Sequence, residues 1–249
     1  MEPLTLLFLL MAVLFGSYIQ TVTGFAMGMI IIATVGGLGL LQLSVLAILV
    51  SLLTSVNSLL SLRGNWSLID VRFLFFLALG QFPAIVFGIG LLNFLESNEV
   101  WILKAILGSF LVLGGLLSFI NPRPLKRISG RLTVFLAGIL GGTLGGLFSA
   151  SGPVLGLFAY SQPMPLAQIR ATLLASFLFT TTARTAVVSF QGSIKPEILM
   201  LFLLALPIVL LGTFLGKKIL PPVSESTTRR FAFSIILMIG FWTLLETLL

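Results

Sequence analysis

The stretch LGGTLGGLFSASGPVLGLFAYSQP (Leu140–Pro163) decides the fold, because glycine, serine and proline interrupt an otherwise apolar sequence at membrane depth. A second interruption, GSYIQTVTGFAMG (Gly16–Gly28), stands in the matching place near the start of the chain. Around these breaks lie 249 residues of which 58% are apolar and 8% charged. That balance leaves too few polar side chains to coat a water-soluble globule, so the bilayer is the solvent. Apolar segments run at roughly 4–22, 24–41, 43–62, 71–93 and 99–120, then 131–148, 152–161, 166–190, 197–216 and 229–248. Most approach the ~20 residues that a helix needs to cross a hydrocarbon core. The expected fold is an all-α polytopic membrane protein with broken or re-entrant helices, its residues 1–249 forming a single integral membrane domain. The run from Leu4 has no basic flank before it, only Glu2, and no small-residue cleavage pattern after it, so it is expected to belong to the mature protein.

The segments divide five and five about the basic, proline-containing loop NPRPLKRISGR (Asn121–Arg131). An offset of 128 matches Gly24 with Gly152 and Gly64 with Gly192, and an offset of 124 matches Pro83 with Pro207 and Gly88 with Gly212. These matches suggest a duplication, with one repeat over 1–120, a linker over 121–130 and a second repeat over 131–249. Loop charges set the orientation, since Lys and Arg accumulate on the cytoplasmic side. Arg63 and Arg72, then Arg123, Lys126, Arg127 and Arg131, and finally Lys217, Lys218, Arg229 and Arg230 mark three inner loops; Glu96 and Glu99, and later Lys195 and Glu197, mark outer ones. If the first two segments of each half act as a pair, both termini lie outside and the repeats have inverted topology. Segment 152–161 is too short to span, so with 131–148 it reads as a hairpin tipped by Gly152 and Pro153, matched in the first half by a tip at Gly24.

Inverted repeats place a shared site near mid-membrane, where two broken helices open to either side in turn. A helix starting after Gly152 and Pro153 would point its free N–H groups and the positive end of its dipole at that site, which suits an anion. Ser149 and Ser151 in the second half, with Gln20, Thr21 and Thr23 in the first, supply neutral hydrogen-bonding groups nearby. For Gly141, Gly142, Gly145 and Gly146, close helix packing is the favoured role. Arg184, in TTTARTAVV, is the most informative charge: all seven acidic residues fall at segment ends or in loops, so it either snorkels to the outer interface or meets an anionic substrate. Arg170 reads as an inner-interface anchor, and Asn57 as a substrate contact or as interhelical glue, with glue favoured. Gln81 is of the same kind. With no cysteine and no histidine, thiolate and imidazole metal sites and histidine-ligated haem are excluded, and no cofactor is implied. The net charge of +7 sits in short loops, as orientation signals do, so no nucleic acid is expected.

At these residues the chain resembles the TauE/SafE family of membrane transporters, known for sulfite and organosulfonate export. The resemblance covers nearly the whole chain. It rests on the two Gly-rich broken elements, and in the second half on GLFSASGP followed by RATLLASF; the first half departs from the family pattern with GFAMGMII in place of a glycine cluster ending in proline. It implies a transporter for a small anion, an oxidised sulfur species or sulfonate, working by alternating access in the export direction. The residues alone reach only an anion site between inverted repeats. Small carboxylates as cargo and an anion channel stay open as alternatives, whereas a membrane enzyme lacks a visible base, nucleophile pair or metal set. A purely structural subunit would have no need of paired helix breaks. The expected setting is a bacterial inner membrane, with lipids and the small anion as partners and a homo-oligomer compatible with the sequence. Coupling to the membrane potential or to a proton carried on a weak-acid substrate is left open, without a carboxylate relay inside the spans.

Overall fold

A computed structural model describes residues 2–119, 124–219 and 225–248. Ten α-helices occur among them: α1 (Pro3–Thr23), α2 (Met27–Ile31), α3 (Leu43–Leu62), α4 (Val71–Asn98), α5 (Val100–Phe119), α6 (Arg131–Phe148), α7 (Gly152–Tyr160), α8 (Leu166–Phe190), α9 (Pro196–Lys218) and α10 (Glu225–Leu248). Seven of the described helices are long and apolar enough to cross a membrane. Large apolar side chains along α4 and α9, such as Phe75, Phe82, Phe87, Met200, Leu203 and Phe214, stay exposed, as they do on a lipid-facing surface. Local chemistry starts several helices. Pro3, Pro153 and Pro196 occupy first-turn positions, where a missing N–H does no harm. The Asp70 carboxylate caps α4 by accepting from the Phe73 N–H at 2.9 Å.

The segment 24–41 is not the single apolar run that the sequence suggests. Gly24 (φ 84°) and Ala26 (φ 101°) adopt left-handed backbone that ends α1 and offsets α2, and α2 passes into a π-helical turn over Ile32–Gly36. The second break falls at Ser149 (φ 52°), which closes α6. Gly24 and Ser149 thus occupy equivalent helix-ending positions, and Gly152 instead opens α7. Both breaks turn the chain back on itself, with Gly16 of α1 against Met27 and Gly141 of α6 against Leu155 of α7. Each half therefore begins with a hairpin. The segment read at 229–248 starts earlier, at Glu225, so Arg229 and Arg230 fall within α10 instead of a loop, their side chains lying outside the described residues, as do Asn121, Pro122 and Arg123 of the basic loop.

Helix partners recur in a regular way. Tight pairs form between α4 and α6 and between α1 and α9, α3 packs on α8 and α5 on α10, and α3 meets α9 as α8 meets α4. Replacing each helix by the one five later returns the same set of pairs. Glycine makes the closest of these approaches possible: a Cβ on Gly146 would collide with the Ile85 carbonyl, and one on Gly88 with the Thr143 carbonyl. Gly142 meets Gln81, Gly141 meets Leu155 and Gly145 meets Thr180, so all four glycines of this group are packing positions. Helix α3 runs antiparallel to α8, since Thr185 pairs with Ser51 and Ser55 with Thr181. Helix α5 runs antiparallel to α10, Gly108 facing Leu244 and Gly115 facing Leu237. One end of the bundle is basic: Lys217 donates to the Arg63 carbonyl, and Arg72 lies beside Arg131. Glu96, Glu99 and Lys195 lie at the other end, where Lys104 and Glu246 form an exposed ion pair at 3.4 Å.

Candidate anion site along the α3 and α8 seam

Non-helical backbone at membrane depth needs its polar groups satisfied, and here protein supplies the partners. In the first hairpin the Met27 N–H donates to Gln20 Oε1 at 3.2 Å, the Thr23 hydroxyl donates to the Phe25 carbonyl at 2.9 Å, and the Tyr160 hydroxyl donates to the Thr23 carbonyl at 2.7 Å. In the second, the Ser149 hydroxyl donates to the Ala47 carbonyl at 2.8 Å. Ser151 stands as the N-cap of α7 without a side-chain cap bond. The space between Gly24 and Gly152 is occupied: the Phe25 ring packs on Gly152 and Gly156 and meets Tyr160 edge-on at 6.0 Å. The expectation that both tips line one open cavity is therefore corrected. A phenylalanine that the sequence reading passed over fills the gap, and protein groups bond to the breaks, Tyr160 reaching across to the first hairpin and Ser149 to α3. Pro153 instead borders an apolar groove against α5.

The remaining candidates separate into two groups. Gln20, Thr21 and Asn57 knit α1, α3 and α9 together: Gln20 Nε2 donates to Ser58 at 3.1 Å, Thr21 meets Ser61 at 3.0 Å, and Asn57 Nδ2 lies 3.1 Å from the Ser17 carbonyl, 3.1 Å from Thr21 and 2.7 Å from Thr213. This is the interhelical bonding favoured for Asn57. Gln81 behaves alike, donating to Ser176 at 2.9 Å.

Arg184 stands apart from that network. Its side chain is only 1% exposed, so it does not snorkel. Nε donates to the Gly146 carbonyl at 3.1 Å, near the C-terminus of α6 where helix carbonyls run out of partners. Nη1 has no hydrogen-bond partner among the described residues. No described carboxylate pairs with it. The guanidinium borders a cavity of about 400 Å³ at the end marked by Glu96 and Lys195, whose walls include Ile48, Ile89 and Val188. A second, smaller cavity of about 160 Å³ lies at the basic end, lined by Thr21, Ser61, Asn65 and Arg170. The two share no lining residue. Between them runs a polar seam of hydroxyls, Thr185 on Ser51 at 3.2 Å and Ser55 on Thr181 at 2.8 Å.

Glu96, whose carboxylate accepts from the Ser44 N–H at 3.1 Å, and the seam serines were missed as site residues. The cavity gathers three stretches far apart in sequence, around 42–48, 89–97 and 184–198, which no local motif announces. The seam had a readable signal: Ser51, Ser55 and Ser58 recur at helical spacing along α3, as Thr181 and Thr185 do along α8.

A bundle of membrane-length, broken helices with a buried, incompletely bonded arginine beside a cavity is the architecture of a membrane transporter. Comparison with known proteins agrees. The family model described as "Sulfite exporter TauE/SafE" matches residues 8–243. The chain is 40% identical over 225 residues to a protein of Cupriavidus necator named "Probable sulfite/organosulfonate exporter TauE", covering 90% of this chain and 88% of that one. The chain belongs to the TauE/SafE sulfite exporter family. No solved structure matches.

Proposed function

We propose that this chain exports a small oxidised-sulfur anion, sulfite or an organosulfonate, by alternating access between two inverted repeats over 1–120 and 131–249. The observation that carries the proposal is Arg184: a buried cation with a free Nη1 at the foot of a cavity, held in place by one carbonyl. An intramembrane cation of this kind needs an anionic partner. The relative's name supplies the chemistry of that partner. The antiparallel pairing of α3 with α8 and of α5 with α10, and the helix contacts that repeat five elements on, support the inverted reading. The basic end then faces the cytoplasm and both termini lie outside, in a bacterial inner membrane. In this reading Ser149, Ser151, Gly152 and Pro153 position the second hairpin behind Arg184, and Gln20, Thr21, Thr23, Gly24 and Asn57 hold the first.

A carrier is favoured over a channel because the two cavities share no lining residue and hydroxyl bonds tie α3 to α8 between them. The inside-negative potential suffices to drive an anion outward. The test is a thermal-shift or scintillation panel of sulfite, sulfate, thiosulfate, sulfoacetate and small carboxylates on purified protein and on Arg184→Gln. Selective binding of sulfite or sulfoacetate that Arg184→Gln weakens by about tenfold or more supports the proposal. Equal binding by the two proteins, or preference for carboxylates, contradicts it.

A further inference from the structure

The smaller cavity faces the end opposite to the one that Arg184 serves. It takes the end of α3 and the start of α8, whereas the larger cavity takes the start of α3 and the end of α8. Exchanging the two antiparallel helices therefore interchanges the α3 and α8 parts of the two linings, while the α4 and α9 residues of the larger cavity have no counterpart in the smaller. Each contains one arginine of α8. Arg170 and Arg184 are fourteen residues apart, which places them within about 40° on the helix surface and about 21 Å apart along its axis. Each also abuts one hairpin: Arg184 bonds to the Gly146 carbonyl of the second, and the tip of the first closes on Arg170, where a Cβ on Gly24 would lie 3.1 Å from the Arg170 Cα. Thr21, Ser61 and Asn65 supply the other polar lining beside Arg170, and Leu68, Ala167, Ala171 and Leu174 the apolar part.

We propose that the pocket around Arg170 is a second anion site, which receives the same oxidised-sulfur anion from the face opposite to the one served by Arg184. This rests on the alternating-access reading above and adds that the carrier presents a different arginine to each side. In the state described here the Arg184 pocket is the larger, and the Arg170 pocket, under the Gly24 tip, is the contracted one. Switching would enlarge one as it contracts the other, with the first hairpin releasing Arg170.

The test measures half-saturating sulfite for transport from each face, in everted and in right-side-out membrane vesicles, for the intact protein, Arg170→Gln, Arg170→Lys and Arg184→Gln. The expected result is that Arg170→Gln raises the half-saturating concentration by about tenfold or more on one face and Arg184→Gln does so on the other, with Arg170→Lys recovering part of the loss. If Arg184→Gln acts and Arg170→Gln is silent, or if both act on the same face, the second site is overturned while the proposed function stands. If neither acts, both readings fall together. Should Arg170→Gln not fold, Ala167→Phe, which adds bulk at the rim of the small cavity and keeps the charge, must give the same one-sided loss; a loss equal on both faces overturns the inference.

Discussion

Replacing Arg184 with Met separates a substrate-binding arginine from a structural one, because the two roles give opposite results. Without anion, the side chain is a nearly dry cation whose Nε is bonded and whose Nη1 has no partner among the described residues. Removing it relieves an intramembrane charge worth about 2.5–3.5 kcal/mol on insertion scales. It also forfeits one charge-assisted bond to Gly146, worth about 1.5–3 kcal/mol. The two nearly cancel, so the variant in anion-free detergent should melt within a few degrees of the parent. With anion the outcome differs. Loss of a charge-assisted pair weakens binding by roughly 10–150-fold. At a sulfite concentration of about 100 Kd the parent gains ~2.7 kcal/mol, whereas a variant bound 100-fold more weakly gains ~0.4 kcal/mol. For a chain of this size that is a melting shift of about 5–11 °C against about 1–2 °C. Differential scanning fluorimetry with and without sulfite reads both quantities. A variant that loses many degrees without anion yet keeps the full sulfite shift would make Arg184 a cap for α6 alone.

Other substitutions test the scaffold. Asn57→Leu should lower stability by about 1–2 kcal/mol, the scale of interhelical hydrogen bonds, while sulfite affinity stays within about threefold, as checked by the same melting assay. Gly146→Val forces a side chain into the Ile85 carbonyl and should lose about 1–3 kcal/mol or more, seen as poor recovery of monodisperse protein in size-exclusion chromatography. Gly24→Ala places a Cβ on left-handed backbone and against Arg170, for a loss of about 1–2 kcal/mol, measured as a lower melting temperature.

Much of the helix layout was legible because bilayer physics writes it into apolar length: 43–62, 131–148 and 166–190 were read at the bounds that the structure gives. The pairing of Gly64 with Gly192 also has a structural counterpart, both residues having left-handed backbone just after α3 and α8. The first hairpin was harder. Its return limb is as apolar as a span, and the turn at Gly24 and Ala26 and the π-turn that follows come from backbone conformations that hydropathy does not register. Arg184 stood out as an unneutralised charge within an apolar helix. The cavity beside it was invisible, because Glu96, Gln191 and Lys195 meet only through the packing of helix ends. The error over the tips has one cause: Phe25 looked like one more apolar residue, and only packing shows it lodged between the hairpins.

If the two cavities exchange access, a cysteine placed in this cysteine-free chain reports it. Val188, in the wall of the larger cavity, is replaced by Cys, and its labelling rate by a membrane-impermeant maleimide is compared with the rate in a background that also carries Ala167→Trp, which crowds the rim of the smaller cavity. Alternating access requires Val188→Cys to label faster when the opposite pocket is held shut. An unchanged rate, with transport persisting in the filled variant, would contradict the account.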